Sequence, residues 1–170
     1  MAYTKSGLYV DSFMSPIKAT SYTGTGGLDW RLATWKLSLL LFASVTDGSA
    51  PVNFSISTAP WVTTFEATGT GWASGGVVLN VAAAGATSVV PTLAEGTTGS
   101  VRYNWTNPLA VSGTTLTGVG GMILYADPLS APVAKPMIFS VCFGSAFSTV
   151  AGTFGITPSG TGLCEIDLTP

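Results

Sequence analysis

The chain has 170 residues, the length of one domain able to bury a core of its own, and only 8% of them are Asp, Glu, Lys or Arg, where an ordinary soluble chain carries about 25%. The net charge is −2, and the six basic residues (Lys5, Lys18, Arg31, Lys36, Arg102 and Lys135) form no run or stripe, which excludes the clustered positive surface that holds nucleic acid. Histidine is absent, and with it go the commonest general base, the Ser-His-Asp and Cys-His systems and most zinc sites.

At the N-terminal end, residues 1–10 lack the basic stretch and apolar run of an export signal, so export is not expected. Residues 3–14 suggest a short helix, limited by Pro16. Ala19-Thr20-Ser21-Tyr22-Thr23-Gly24-Thr25-Gly26-Gly27 has the composition of a linker. The expected organisation is therefore an N-terminal arm with a Gly/Thr-rich linker over 1–27 and a single β-domain over 28–170. Tyr3, Leu8, Tyr9, Phe13 and Met14 of the arm are candidate contacts with a neighbouring subunit; the alternative is that they pack on their own domain.

From Trp35 the pattern turns to strand. Trp35, Leu37, Leu39, Leu41 and Ala43 fall on one face and Lys36, Ser38, Leu40 and Phe42 on the other, until Asp47-Gly48-Ser49 closes the run as a turn. Further strands are expected at 62–67, 77–81, 101–105, 122–126, 137–143, 152–156 and 163–168, separated by Gly, Pro, Asn and Ser clusters. In the last of them, Cys164, Ile166 and Leu168 should face inward, and Glu165 and Asp167 outward. The ten prolines and 21 glycines argue against long helices. The longest apolar run, residues 37–45, is far short of the roughly 20 residues of a transmembrane helix, so no membrane partner is expected. Short strands with regular turn signals predict an all-β fold: an antiparallel β-sandwich or a jelly-roll-like barrel, preceded by the arm or short helix.

Few residues suggest chemistry. Glu165 and Asp167 share a strand face by their spacing and could act as a carboxylate pair, but a solvated strand face near the C-terminus is the simpler reading of them. Cys142 and Cys164 stand alone in apolar surroundings and read as buried thiols, with a disulfide left to geometry. The five tryptophans, Trp30, Trp35, Trp61, Trp72 and Trp105, fit either packing or sugar-stacking platforms. The glycine-rich run Gly69-Thr70-Gly71-Trp72-Ala73-Ser74-Gly75-Gly76 has a superficial likeness to a dinucleotide loop. Its spacing is wrong, however, and a strand follows where a helix N-terminus would be needed. Gly69, Gly71, Trp72, Gly75 and Gly76 are therefore read as a structural turn, with no cofactor expected.

The segment Phe65-Glu66-Ala67-Thr68-Gly69-Thr70-Gly71-Trp72-Ala73-Ser74-Gly75-Gly76-Val77-Val78-Leu79 resembles a pattern in small structural proteins of tailed bacteriophages. That pattern runs Glu-Val-Ser-Gly-Thr-Gly-Tyr-x-x-Gly-Gly and then an apolar strand; Trp72 stands where Tyr is usual. The order of later segments fits as well, through Trp105-Thr106, Thr114-Thr115-Leu116, Tyr125-Ala126-Asp127 and the two final strands. The resemblance implies a non-enzymatic virion component assembled in the host cytoplasm, with the major capsid protein and further copies of itself as partners. It implies first a capsid decoration protein that stabilises the assembled head, and second a minor tail or head–tail connector protein. A carbohydrate-binding adhesion module is the reading from another class, and an enzyme is the weakest.

Overall fold

The computed structural model describes residues 3–17, 35–47, 49–54, 64–79, 89, 91–96, 99–105, 108–127, 129–130, 134–160 and 162–168. In chain order its elements are strand β1 (Gly7–Leu8), helix α1 (Val10–Ile17), strand β2 (Lys36–Leu41), a 3-10 turn (Ala50–Val52), and strands β3 (Val77–Val78), β4 (Pro91–Glu95), β5 (Ser100–Trp105), β6 (Leu109–Tyr125), β7 (Met137–Ile156) and β8 (Cys164–Asp167). The strands form two antiparallel sheets, one in the order β1-β7-β6-β2-β3 and one in the order β4-β5-β8. The fold is all-β and sandwich-like; it is not a closed barrel.

The two-faced pattern of β2 is what organises the interior. Trp35, Leu37 and Leu39 enter the core between the sheets, where they meet Trp72, Leu79, Tyr103, Met122, Leu124 and Phe139. Leu40 points the other way, into a second cluster with Tyr3, Tyr9, Val45, Val52, Ile123, Tyr125 and Met137. A sheet buried on both faces needs something to cover its back. Here the cover comes from the N-terminal segment and the loop that follows β2, with Phe42, Phe54 and Phe65 packed around them. Each fully buried Leu or aromatic ring contributes about 1.5–3 kcal/mol, so the second cluster adds substantially to the stability of the first.

A bulge divides β7 between the two cores. Leu124 pairs with Phe139 and Tyr125 with Met137, which leaves Ile138 as an extra residue. Met137 and Phe139 would share a face in a regular strand; across the bulge they serve opposite cores. The β6–β7 pair has further register shifts, at Val111/Thr114, Thr114/Leu116, Leu116/Val119 and Val119/Gly121.

Those shifts account for the main departure from the sequence expectation. The short strands expected at 137–143 and 152–156 belong to one strand of 20 residues, and 122–126 is the end of a strand of 17 residues. Gly113, Gly118 and Gly144 have positive φ, as does Ala151 (φ 47), so residues that read as turns bend a continuous ladder instead. The expected strand at 62–67 is, in its described part, an isolated bridge from Glu66 to Leu40. β4 was not expected. It begins at Pro91 on the edge of the smaller sheet, a position that tolerates a residue without an N–H. At the N-terminal end, β1 and α1 occupy part of the expected arm and lie on the larger sheet; residues 18–34, including the whole of the expected linker, fall outside the described residues.

Candidate functional site

The glycine-rich turn is built inward. Gly69 and Trp72 exchange backbone hydrogen bonds at 3.0 Å in both directions, and the N–H of Thr115 on β6 donates to the Thr70 carbonyl at 3.0 Å. A Cβ on Gly69 would lie 2.1 Å from the Thr115 carbonyl oxygen, and one on Gly76 would lie 2.1 Å from that of Leu37. The backbones of β6 and β2 thus leave no room for a side chain at either position. Gly71, Gly75 and Gly76 also have positive φ. Trp72 is fully buried, edge-on to Phe154 with ring centroids 5.8 Å apart, and its indole N–H finds no acceptor among the described residues.

Beneath the turn sits a buried carboxylate that sequence reading passed over. Glu66 is 5% exposed and accepts hydrogen bonds from Ser38 Oγ (2.6 Å), Ser74 Oγ (2.7 Å) and the Gly75 N–H (2.7 Å). Tyr125 closes the arrangement by donating to the Gly75 carbonyl at 2.5 Å. Burial raises the Tyr125 hydroxyl well above the usual phenol range, and the carboxylates of Asp127 and Glu66 add to this, so it stays a neutral donor. The one signal in the sequence was a lone acid opening the glycine run in a chain with only eight Asp and Glu. Glu66 ties β2 to the turn. Three donors occupy its oxygens, which fits a fastener better than a catalyst.

The candidate contact residues of the arm lie on their own sheet. Tyr3 is buried, with its hydroxyl 3.1 Å from Ser140 Oγ and donating to the Val141 carbonyl at 3.2 Å. Tyr9 is buried against Phe54, and its hydroxyl donates to the Pro51 carbonyl. Leu8 and Phe13 pack half-buried against the inter-sheet core, and Met14 is half-buried. Tyr3 and Tyr9 consequently have no free surface to offer a neighbour while the segment is docked. Asp47 latches the segment from outside: its carboxylate accepts from the Thr4 hydroxyl (2.6 Å), the Thr4 N–H (2.8 Å) and the Lys5 N–H (3.1 Å). These bonds, that from the Thr4 hydroxyl foremost, hold the Asp47 carboxyl below the usual carboxylate range.

The remaining polar candidates are also engaged within the chain. Glu165 sits opposite Arg102 on β5, 3.7 Å from its guanidinium, and accepts a hydrogen bond from Ser100. Glu165 and Asp167 lie on an exposed strand face. Cys142 and Cys164 are not bonded to each other. Burial pushes the Cys164 thiol up to about 11, while Cys142 donates to the Tyr3 carbonyl at 3.2 Å. Asp127 lies between Lys36 (3.0 Å) and Lys135 (2.9 Å); burial raises its carboxyl, but the hydrogen bonds from the two lysines outweigh that and hold it low. Trp35, Trp72 and Trp105 are buried, so none of them presents a stacking face, and Trp30 and Trp61 fall outside the described residues.

What the chain does present outward is the far half of β7. From Pro136 to Leu163 there is no charged residue. Within that stretch Phe147 is 48% exposed and Val150 is 85% exposed. Phe147 stands edge-on to Phe143 at 6.0 Å, and the two line a concavity of about 330 Å³ with Phe154, Gly155, Ile156 and Thr157. Val10, Leu93 and Leu168 are also exposed among the described residues, but none of them stands on a charge-free strand. No protein-family model, curated protein or solved structure matches the chain.

Proposed function

We propose that the chain is a non-enzymatic structural subunit of a tailed-phage virion, a capsid decoration protein that binds and stabilises the assembled head. The observation that carries the reading is the uncharged outer half of β7, with Phe147 and Val150 exposed on it. A surface without ionic groups has little to keep it from its neighbours in solution, and gains when packing removes it from water at about 25 cal/mol per Å². Repeated over many copies on a lattice, even a modest gain per contact becomes a large one. The resemblance of residues 65–79 to the glycine-rich segment of phage structural proteins supports the same reading. Glu66, Glu165 and Asp127 are each engaged within the fold, which suits a structural role.

Antibody raised against the purified chain, applied to particles of the source phage and imaged by electron microscopy, tests this directly. Dense labelling over the head is the expected result. A few copies at the tail or its junction with the head would favour the connector reading, and unlabelled particles would remove both.

A further inference from the structure

Among the described residues, the far half of β7 is open along one edge. β1 covers β7 only at Phe139 and Ser140, and Ser6 Oγ accepts the Cys142 N–H at 2.8 Å just beyond. From there to Ile156 the strand has β6 as its sole strand partner among the described residues. Edge strands usually carry Lys, Pro or an inward charge that repels another strand. Between Met137 and Thr157 there is neither a charged residue nor a proline. Bulges are the one protective device present, and they have a second effect. The bulge at 150–151, opposite Thr115, leaves the Val150 side chain standing almost free, while the bulge at 143–146, opposite Gly120, helps open the concavity lined by Phe143, Phe147, Phe154 and Ile156.

The geometry points to a symmetric contact between two copies of this chain, in which Val150 of each copy enters the concavity of the other. Knob and hollow lie on the same strand of the same chain, which is what a two-fold contact requires: residue i meets residue j, and j meets i. The occupant follows from the chemistry of the strip. A charged partner would lose hydration on an edge that returns no ionic contact, whereas a second β7 brings an equally uncharged strand. Its polar residues there, Ser145, Ser148, Thr149 and Thr153, are all neutral, so two such strands bring no like charges against each other. The edge already accepts a strand from its own chain at β1, and the proposed contact continues that interface outward. The inference deepens the assembly reading and rests on it: the neighbour that the uncharged strip meets on the lattice is a second copy, and the dimer so formed is the unit that binds the head.

Sedimentation velocity of the full chain over a micromolar concentration series tests the contact. The wild type is expected to run as a dimer. Val150→Lys should raise the dimer dissociation constant at least about tenfold with an unchanged melting temperature, since the replaced side chain is almost wholly in solvent. Gly155→Val should do the same without any charge, by filling the hollow; its new Cβ would meet nothing closer than 3.8 Å. Val150→Ile should keep the dimer. A monomeric wild type, or a dimer that survives both Val150→Lys and Gly155→Val, would overturn the contact. The two proposals fail separately: heads labelled by a strictly monomeric chain would sink the contact alone, and a Val150-dependent dimer that labels no particle would sink the virion reading alone.

Discussion

The glycine-rich turn and the outer half of β7 use the same residue types for opposite ends. In the turn, glycine is demanded by neighbouring backbone: a Cβ at Gly69 or Gly76 would fall 2.1 Å from a carbonyl oxygen. In the β6–β7 pair, Gly113, Gly118 and Gly144 have nothing within 4 Å of a notional Cβ, and only their positive φ favours glycine. The polar groups divide in the same way. Around the turn, the oxygens of Glu66 and the hydroxyls of Ser38, Ser74 and Tyr125 are spent inside the protein. Along β7, Ser145, Ser148, Thr149 and Thr153 stay at the surface, mostly exposed. The first region buries its polar groups while holding strands together; in the second, Ser148 and Thr149 bond to β6 but three of the four hydroxyl residues stay exposed.

Three substitutions can break or sharpen that contrast. Gly76→Ala should be the most damaging, because the new methyl collides with the Leu37 backbone and the residue must also hold a positive φ. The expected loss is about 4 kcal/mol, read from the urea midpoint, and an alanine variant of near wild-type stability would mean that the turn is not clamped as described. Glu66→Ala comes next. Losing the acceptor strands the buried Ser38 hydroxyl and frees the Gly75 N–H, for an expected cost of about 2–4 kcal/mol in the same urea titration. Smallest is Gly144→Ala, where only the backbone conformation resists. A cost of about 1–2 kcal/mol is expected, and a value matching that of Gly76→Ala would erase the difference between the two regions.

The same contrast explains what could be read from the chain before its fold was in hand. β2 was legible because its alternation is dense, and β5 and β8 because residue types and bounding turns agree. In β8, Glu165 and Asp167 do face solvent while Cys164 and Ile166 are half-buried, but Leu168, expected to point inward, lies just past the strand end and is mostly exposed. The first half of β6 was not legible, since Gly113, Gly118 and their threonine neighbours read as a loop. A bulge and a turn draw on the same residues, and only the partner strand tells them apart. The chemistry of Glu66 was hidden for a related reason: the serine that completes its burial is 28 positions away, on another strand. The candidate arm contacts were chosen for being apolar, and apolar residues fit a core as well as an interface. Placement on the sheet put Tyr3 and Tyr9 inside.

One contact has a bearing on how the protein is made. The Tyr3 hydroxyl meets Ser140 across 137 positions of chain. At roughly 5–20 residues per second on a ribosome, the leading segment emerges many seconds before its berth exists. During that wait its tyrosines and leucine are bare, and the back of the larger sheet stays open until β7 is synthesised and zips onto β6. Docking of the leading segment is therefore among the last events of maturation, and a nascent chain arrested before residue 137 would be the form most prone to capture by chaperones.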